Sequence, residues 1–270
     1  MTTGGENALP LYVESSGTGE SVLLAHGFGG SARNFRPQLR ALHGRYRTIV
    51  YDARGHARSA APESAQDYTP ECFVSDLSRA LDQAGAARAV VGGLSMGAGV
   101  ALRFALAHPG RVQGLVLASF PASSRAGAGL AARAAGFARA LDEEGLVAAG
   151  ERFVWGEGSG LSPRDAALVR QGFLEHPPHA LAHVLRELVA VQPSVEELAP
   201  RLGSLDLPAL IVAGEADAAS VATGQELAAA LPRARLVLVA GAGHVVNLER
   251  PEAFNAALLA FLAEEVFPAA

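Results

Sequence analysis

Apolar residues along this chain recur in two registers. Short, nearly continuous apolar runs stand at residues 21–25, 48–51, 89–91, 114–118, 209–213 and 235–240, and their length and β-branched content predict strands. Between most of them lie stretches in which apolar positions return every three or four residues, at 70–84, 96–107, 221–231 and 251–263. These spacings predict amphipathic helices. Strands apolar on both sides that alternate with helices imply a mostly parallel central sheet with helices on both faces, so the fold class is α/β.

The alternation lapses between Phe120 and Leu207. Here only helical stretches are readable, at 130–146, 163–174, 179–191 and 195–202, punctuated by Pro163, Pro177, Pro178, Pro193 and Pro200. A crossover between neighbouring strands rarely needs so many helices. The strand pattern resumes at Pro208, which predicts a helical lid over residues 122–207 inserted into a core formed by 1–121 and 208–270. The Ala-rich stretch 125–140 keeps a helical stripe through Leu130, Phe137 and Leu141, so it reads as ordered helix.

Chemistry enters where strands end. Gly93-Leu94-Ser95-Met96-Gly97 follows the run 89–91 and opens the helical stretch 96–107, a Gly-x-Ser-x-Gly pattern in the strand-to-helix context of a nucleophile elbow. The flanking glycines let the two backbones approach while the Ser95 hydroxyl projects from the turn. A serine hydroxyl is a poor nucleophile near neutral pH and needs a base within hydrogen-bond reach, itself oriented by a carboxylate. Asp217 follows the strand ending at Gly214, and His244 follows the strand ending near Ala240 in the loop Ala240-Gly-Ala-Gly-His244. Both fall at the carboxyl edge of a parallel sheet, where sites of open α/β folds gather. The order Ser, Asp, His is one of the known triad orders, with Glu215 the alternative acid. Fixed amides for the developing oxyanion are assigned to Met96, the residue after the nucleophile, and to Phe28 in His26-Gly-Phe-Gly-Gly30. His26 reads as a brace for that loop.

Composition narrows the function classes. With 270 residues, half of them hydrophobic, the chain can bury a large core without staples. All 22 basic residues are Arg, which removes a P-loop lysine, a Schiff base and a Ser-Lys dyad, and they are scattered among 27 acidic residues at a net charge of -5. That disfavours nucleic acid. Cys72 has no partner for a disulfide or a zinc site and reads as helix packing. His179 and His183 have the i, i+4 spacing of zinc ligands but lack the Glu of HExxH, so they read as a helix face, with no metal and no cofactor expected. His43, His56, His108 and His176 have no paired Ser and acid. The start of the chain lacks a basic and apolar leader pattern, and no apolar run is long enough to span a bilayer, so a cytoplasmic protein with no membrane partner is expected. Leu94, Phe120, Phe137, Trp155 and Val245 are candidate substrate contacts, with Phe28, Met96, Phe153, Phe173 and Val246 as further walls. Arg125, Arg133 and Arg152 are the lid residues able to anchor a carboxylate.

Taken together, His26-Gly-Phe-Gly-Gly30, Asp52-Ala-Arg-Gly-His56 with Ser59, the Ser95 elbow, Gly-Glu-Ala-Asp217 and Gly-Ala-Gly-His244 resemble the α/β-hydrolase superfamily. Within it the chain is similar to bacterial lid-bearing esterases and lactonases, including the enol-lactonase group. The resemblance covers residues 20–260 apart from the lid, and it implies a lid between strands six and seven. It also implies acyl transfer from a small-molecule ester or lactone to water through a Ser95 acyl-enzyme, without a cofactor, in a monomer or homodimer. Ser95 separates the chain from epoxide hydrolases and haloalkane dehalogenases, which carry Asp at the elbow. A carbon-carbon bond hydrolase, a hydroxynitrile lyase, a perhydrolase or a cofactor-free oxygenase uses the same triad geometry, and a ligand receptor on this scaffold is the non-enzymatic alternative. Two positions depart from the family pattern: Ala57 stands where Arg-Gly-His-Gly is common, and Asp217-Ala-Ala-Ser220 lacks the Pro often found after the acid.

Overall fold

The computed structural model describes residues 9–121, 128–157 and 159–268. The strands are β1 (Val13–Ser16), β2 (Ser21–Ala25), β3 (Arg47–Tyr51), β4 (Ala89–Leu94), β5 (Val112–Ala118), β6 (Ala209–Gly214) and β7 (Ala234–Val239). They form one sheet in the order β1-β3-β2-β4-β5-β6-β7, all parallel except the antiparallel edge pair β1 and β3. All six strands read from the sequence are present. β1 was not anticipated because Val-Glu-Ser-Ser carries no apolar alternation and lies half-exposed at the edge.

The helices are α1 (Arg36–Leu42), α2 (Pro70–Gln83), α3 (Met96–Ala107), α4 (Ala128–Glu143), α5 (Gly145–Gly150), α6 (Pro163–Phe173), α7 (Pro178–Val184), α8 (Val195–Leu202), α9 (Ala218–Ala230), α10 (Val246–Glu249) and α11 (Pro251–Phe261). Alternate residues of each strand point to opposite faces and build two cores. Leu23, Ile49, Val91, Leu115 and Ile211 pack with Phe73 and Leu77 of α2, Phe104 of α3 and Leu227 of α9. Val22, Leu24, Val50, Val90, Val116 and Val212 face Leu42 of α1 and Phe254, Leu258 and Phe261 of α11. Each fully buried aliphatic or aromatic side chain contributes about 1.5–3 kcal/mol, so both faces of the sheet are strongly held.

Between β5 and β6 the chain builds the helical block α4 to α8. The family resemblance implied an insertion between strands six and seven; in the described sheet five strands precede it. The block has a core of its own, in which Phe137 and Leu141 of α4 meet Trp155, Phe173 and Leu181. α7 straddles two cores: Ala180 and Val184 pack toward the sheet side, Leu181 and Ala182 into the block. Two π-helical turns, Glu151–Trp155 and Leu185–Val189, extend α5 and α7. The start of the expected lid and Arg125 lie outside the described residues. No helix among the described residues is long and apolar enough to cross a membrane.

Candidate active site

β2 has β3 on one side and β4 on the other, so the strand order reverses between them. Crevices form at such switch points beyond the carboxyl ends of the strands. Ser95 sits there, between the end of β4 and the start of α3, with φ 52° and ψ -115°. A non-glycine residue in that region stores about 1–3 kcal/mol of backbone strain. The surroundings hold it: the Ser95 amide donates to the Ala118 carbonyl at 2.8 Å. Side chains at Gly93 or Gly97 would collide with the Ala25 carbonyl, the added carbon lying 2.4 or 2.1 Å from it. The glycines of the pentapeptide are therefore required by close approach of β2, β4 and α3.

The structure brings the three distant residues together. His244 Nε2 lies 3.0 Å from Ser95 Oγ, and His244 Nδ1 lies 2.6 Å from Asp217 Oδ2. A carboxylate only accepts, so Nδ1 carries the proton and Nε2 accepts from the serine hydroxyl. The His244 side chain is 49% exposed and Asp217 is mostly covered. Glu215 is exposed and makes no contact with His244 among the described hydrogen bonds, which leaves Asp217 as the acid in contact. Asp206 is on the surface, paired with Arg233.

Two residues that support this chain were missed in the sequence. Ser220, buried in the first turn of α9, donates its hydroxyl to Asp217 Oδ2 at 2.5 Å and its amide to Oδ1 at 3.2 Å. Asp217 thereby caps α9, and the loop needs no proline to fix it. Burial alone would raise the Asp217 pKa, but the hydrogen bonds from His244 and Ser220 outweigh it and hold the carboxyl down at about 2. Glu249 grips the His244 loop: Oε2 accepts from the Gly243 amide at 2.8 Å and Oε1 from the Val245 amide at 2.9 Å. An Asp just before a helical stretch is a readable N-cap signal, and Ser220 falls at the position whose amide such a cap accepts from. A glutamate five residues past a histidine is no such signal.

The loop after β2 lies against the nucleophile, with the Gly27 side-chain position 3.7 Å from Ser95 Cβ. The Phe28 amide donates to no group among the described residues, and the Met96 amide belongs to the unbonded first turn of α3. His26 is buried and bonded to the Gly27 carbonyl and the Ala53 amide. Burial pushes its pKa down to about 4, so the ring is neutral. That is the bracing position expected for it. The Asp52 carboxylate accepts from the Ala32 amide and from Arg58, and Ser59 donates to the Asp52 carbonyl, so the second motif fastens the far end of the same loop. Ala57 has φ 43°, a left-handed conformation that explains why glycine is common there.

Of the candidate wall residues, Phe28, Phe137, Phe153, Phe173 and Trp155 form one aromatic cluster that joins the loop to the helical block. The Trp155 ring N–H donates to Glu151. Leu94 and Val246 belong to the core shared with α11, Val245 packs at its margin, and Phe120 lies in the core on the other face. Arg152 is ion-paired with Glu144, and Arg133 is exposed on α4. His179 and His183 face carbonyls of the core loop 61–63, and no metal-ligating cluster occurs among the described residues.

Residues 22–257 match the model of the alpha/beta hydrolase family. The chain belongs to the alpha/beta hydrolase family. It is 30% identical to a protein of Azorhizobium caulinodans named as a candidate carbamate hydrolase, RutD, across 94% of this chain and 95% of that one. Its structure resembles that of a thermophilic esterase from Thermogutta terrifontis, at 29% identity and a TM-score of 0.84, covering 97% of this chain and 96% of the other. An enol-lactonase from Burkholderia xenovorans gives 28% identity and a TM-score of 0.81 over 95% and 97% of the two chains. This member of a hydrolase family thus shares its whole fold, helical block included, with esterase and lactonase structures.

Proposed function

We propose that this alpha/beta hydrolase family member is a serine hydrolase that transfers the acyl group of an uncharged carboxylic ester or lactone to water. The reading is carried by one observation, the unbroken chain from Ser95 Oγ through the His244 ring to Asp217 Oδ2. His244 Nε2 takes the hydroxyl proton as Ser95 Oγ bonds to the carbonyl carbon. The carbonyl oxygen becomes an oxyanion between the amides of Phe28 and Met96, each such donor being worth on the order of 3 kcal/mol. His244 then delivers its proton to the alcohol oxygen as the C–O bond breaks. In a lactone that oxygen stays tethered to the acyl group. Water enters, gives a proton to His244 and adds to the acyl carbon; collapse of the second oxyanion breaks the acyl bond to Ser95 Oγ, which takes the proton back from His244, and the acid leaves and ionises to its carboxylate. Asp217, kept ionised, stabilises the imidazolium in both halves.

The helical block acts as the lid of this site, and its aromatic cluster reaches the oxyanion loop through Phe28. Of the candidate arginines among the described residues, Arg152 is already paired and Arg133 is turned to solvent, which supports an uncharged acyl group. The test is a panel of short nitrophenyl esters, lactones, carbamates and β-diketones, run with the protein and with Ser95→Ala, alongside labelling by a fluorophosphonate. Ester or lactone turnover with a label on Ser95, lost on the order of a millionfold in Ser95→Ala, is the expected result. Full activity in Ser95→Ala overturns the reading. Diketone cleavage without ester turnover moves it to carbon-carbon bond hydrolysis.

A further inference from the structure

The oxyanion loop is held by imidazoles from three separate segments. His26 Nδ1 donates to the Gly27 carbonyl at 2.8 Å, and the Gly29 amide donates to His56 Nε2 at 3.2 Å. The third ring comes from the helical block: His176 Nε2 faces the Gly30 carbonyl at 2.9 Å, a contact that is a hydrogen bond in the tautomer with the proton on Nε2. The three rings stack edge to face, with centroids 4.9 Å apart between His26 and His56 and 5.1 Å between His56 and His176. His56 also meets the Phe28 ring. The peptide groups on either side of Phe28 are thus fixed, and the Phe28 amide is left without a partner among the described residues.

His176 differs from the other two in where it comes from. His26 and His56 sit in the core motifs, and both are kept neutral by burial. His176 follows α6, where its other ring nitrogen faces the Phe173 carbonyl at 3.0 Å, and it is only 3% exposed. Its neighbours make the same crossing. Glu175 pairs with Arg33 at 2.5 Å, and a side chain at Gly29 would strike the Phe173 ring at 2.5 Å. Residues 173–176 therefore press on the loop 27–33 from the block side by a ring, a hydrogen bond and an ion pair.

We propose that His176 is a positioning residue for the oxyanion loop, through which docking of the helical block sets the aim of the Phe28 amide. The proposal rests on the acyl-transfer reading. A donor shifted by about 1 Å can lower a rate by as much as a hundredfold, so a bond to the Gly30 carbonyl, two residues past Phe28 in the same loop, is well placed to matter. It makes the block part of the catalytic geometry as well as a cover. An ordinary packing role would instead move stability, or substrate affinity, and leave the rate of the chemical step alone.

The test compares His176→Phe, which keeps a ring and loses the donor, with His176→Gln, whose amide can still donate to the Gly30 carbonyl. Each is assayed for kcat and KM on a short nitrophenyl ester, for inhibition by a trifluoromethyl ketone that forms a tetrahedral adduct, and for thermal midpoint. For His176→Phe the expected result is a fall in kcat of about ten- to hundredfold with KM within about twofold, and a matching loss of inhibitor affinity. His176→Gln recovers most of both. Arg235→Ala, which removes an exposed ion pair with Glu264 outside the site and the loop, stays within about twofold of the parent. Unchanged kcat in His176→Phe overturns the proposal, as does a rise in KM alone or an equal loss in both variants that follows their thermal midpoints. If His176→Phe does not fold, His176→Gln and His176→Asn are compared, and equal rates in the two overturn it. A parent protein that turns over esters and labels at Ser95 while these variants keep full kcat sinks this proposal and spares the acyl-transfer reading. A parent that does neither sinks both.

Discussion

At the carboxyl edge of the sheet, Ser95, Asp217 and His244 are placed by backbone with almost no freedom. The elbow is wedged between β2 and β5, Asp217 caps α9, and the His244 loop is gripped by Glu249. Gly214 adds a close approach of the acid and base loops, since a side chain there would lie 2.2 Å from the Gly243 carbonyl. The helical block is built otherwise. Its members meet through aromatic rings, exposed ion pairs such as Arg186 with Asp142, and single hydrogen bonds from His176, His179 and His183 to core carbonyls. Backbone-fixed groups keep their geometry under substitution of their neighbours, whereas side-chain packing transmits each change. The same fold can therefore hold one chemistry at the sheet edge and vary its substrates through the block.

The sharpest test of that contrast lies within the edge itself. Asp217→Asn should lower kcat by about ten-thousandfold on a short ester, because the amide reverses the tautomer that His244 needs, while Glu215→Gln should change little. Equal effects would mean that the acid is not selected by geometry. In the block, Phe173→Ala should lower the unfolding free energy by about 3–5 kcal/mol, measured by urea denaturation, since the ring is fully buried against Phe28, Phe137 and Trp155. A loss near zero would show the block to be loosely packed.

The loop that joins the two regions adds a pH dependence. His26 has a folded pKa of about 4 because it is buried, below its ordinary value of 6.5. Between those values the unfolded chain binds a proton that the folded one refuses, so this contribution is complete above pH 6.5 and is lost as pH falls towards 4. The loss is about 3 kcal/mol. Buried His56, also held well below its ordinary value, acts with the same sign. Denaturation midpoints that stay flat from pH 7 to 4.5 (~2.5 pH units), or a His26 ring that titrates above 6 by NMR, would contradict this. The smallest effect is expected at Ala57. Its left-handed backbone makes Ala57→Gly stabilising by up to about 1 kcal/mol, less the entropy that glycine adds to the unfolded chain, with the rate unchanged.

Much of the edge was legible because its signals are local. The elbow is five consecutive residues, and the strands around it declare themselves by apolar runs. Asp217 and His244 were readable from their place just after strands, but the choice between Asp217 and Glu215 needed the 2.6 Å contact to His244. β1 and α1 escaped notice because neither carries a clear apolar period. The helical stretch read at 130–146 reached only the start of α5, and the π-helical turn after it was not read, since Gly145 and Gly150 blur the periodicity. The bonds that unite the block with the oxyanion loop had no local signal at all. Gly30 and His176 are separated by 146 positions, and nothing in either segment names the other.

By itself, the sequence determined which residues are able to be nucleophile, acid and base, and that a parallel sheet would bring strand ends together, because strand periodicity and turn chemistry are properties of neighbouring residues. Only the tertiary structure decided which carboxylate faces His244, that Ser220 and Glu249 hold the acid and the base loop, and that three histidines from separate segments meet the loop 27–30. Those outcomes depend on distances between segments far apart in the chain. Such distances are set by how the two faces of the sheet and the helical block pack, a sum over many contacts that no short run of residues contains.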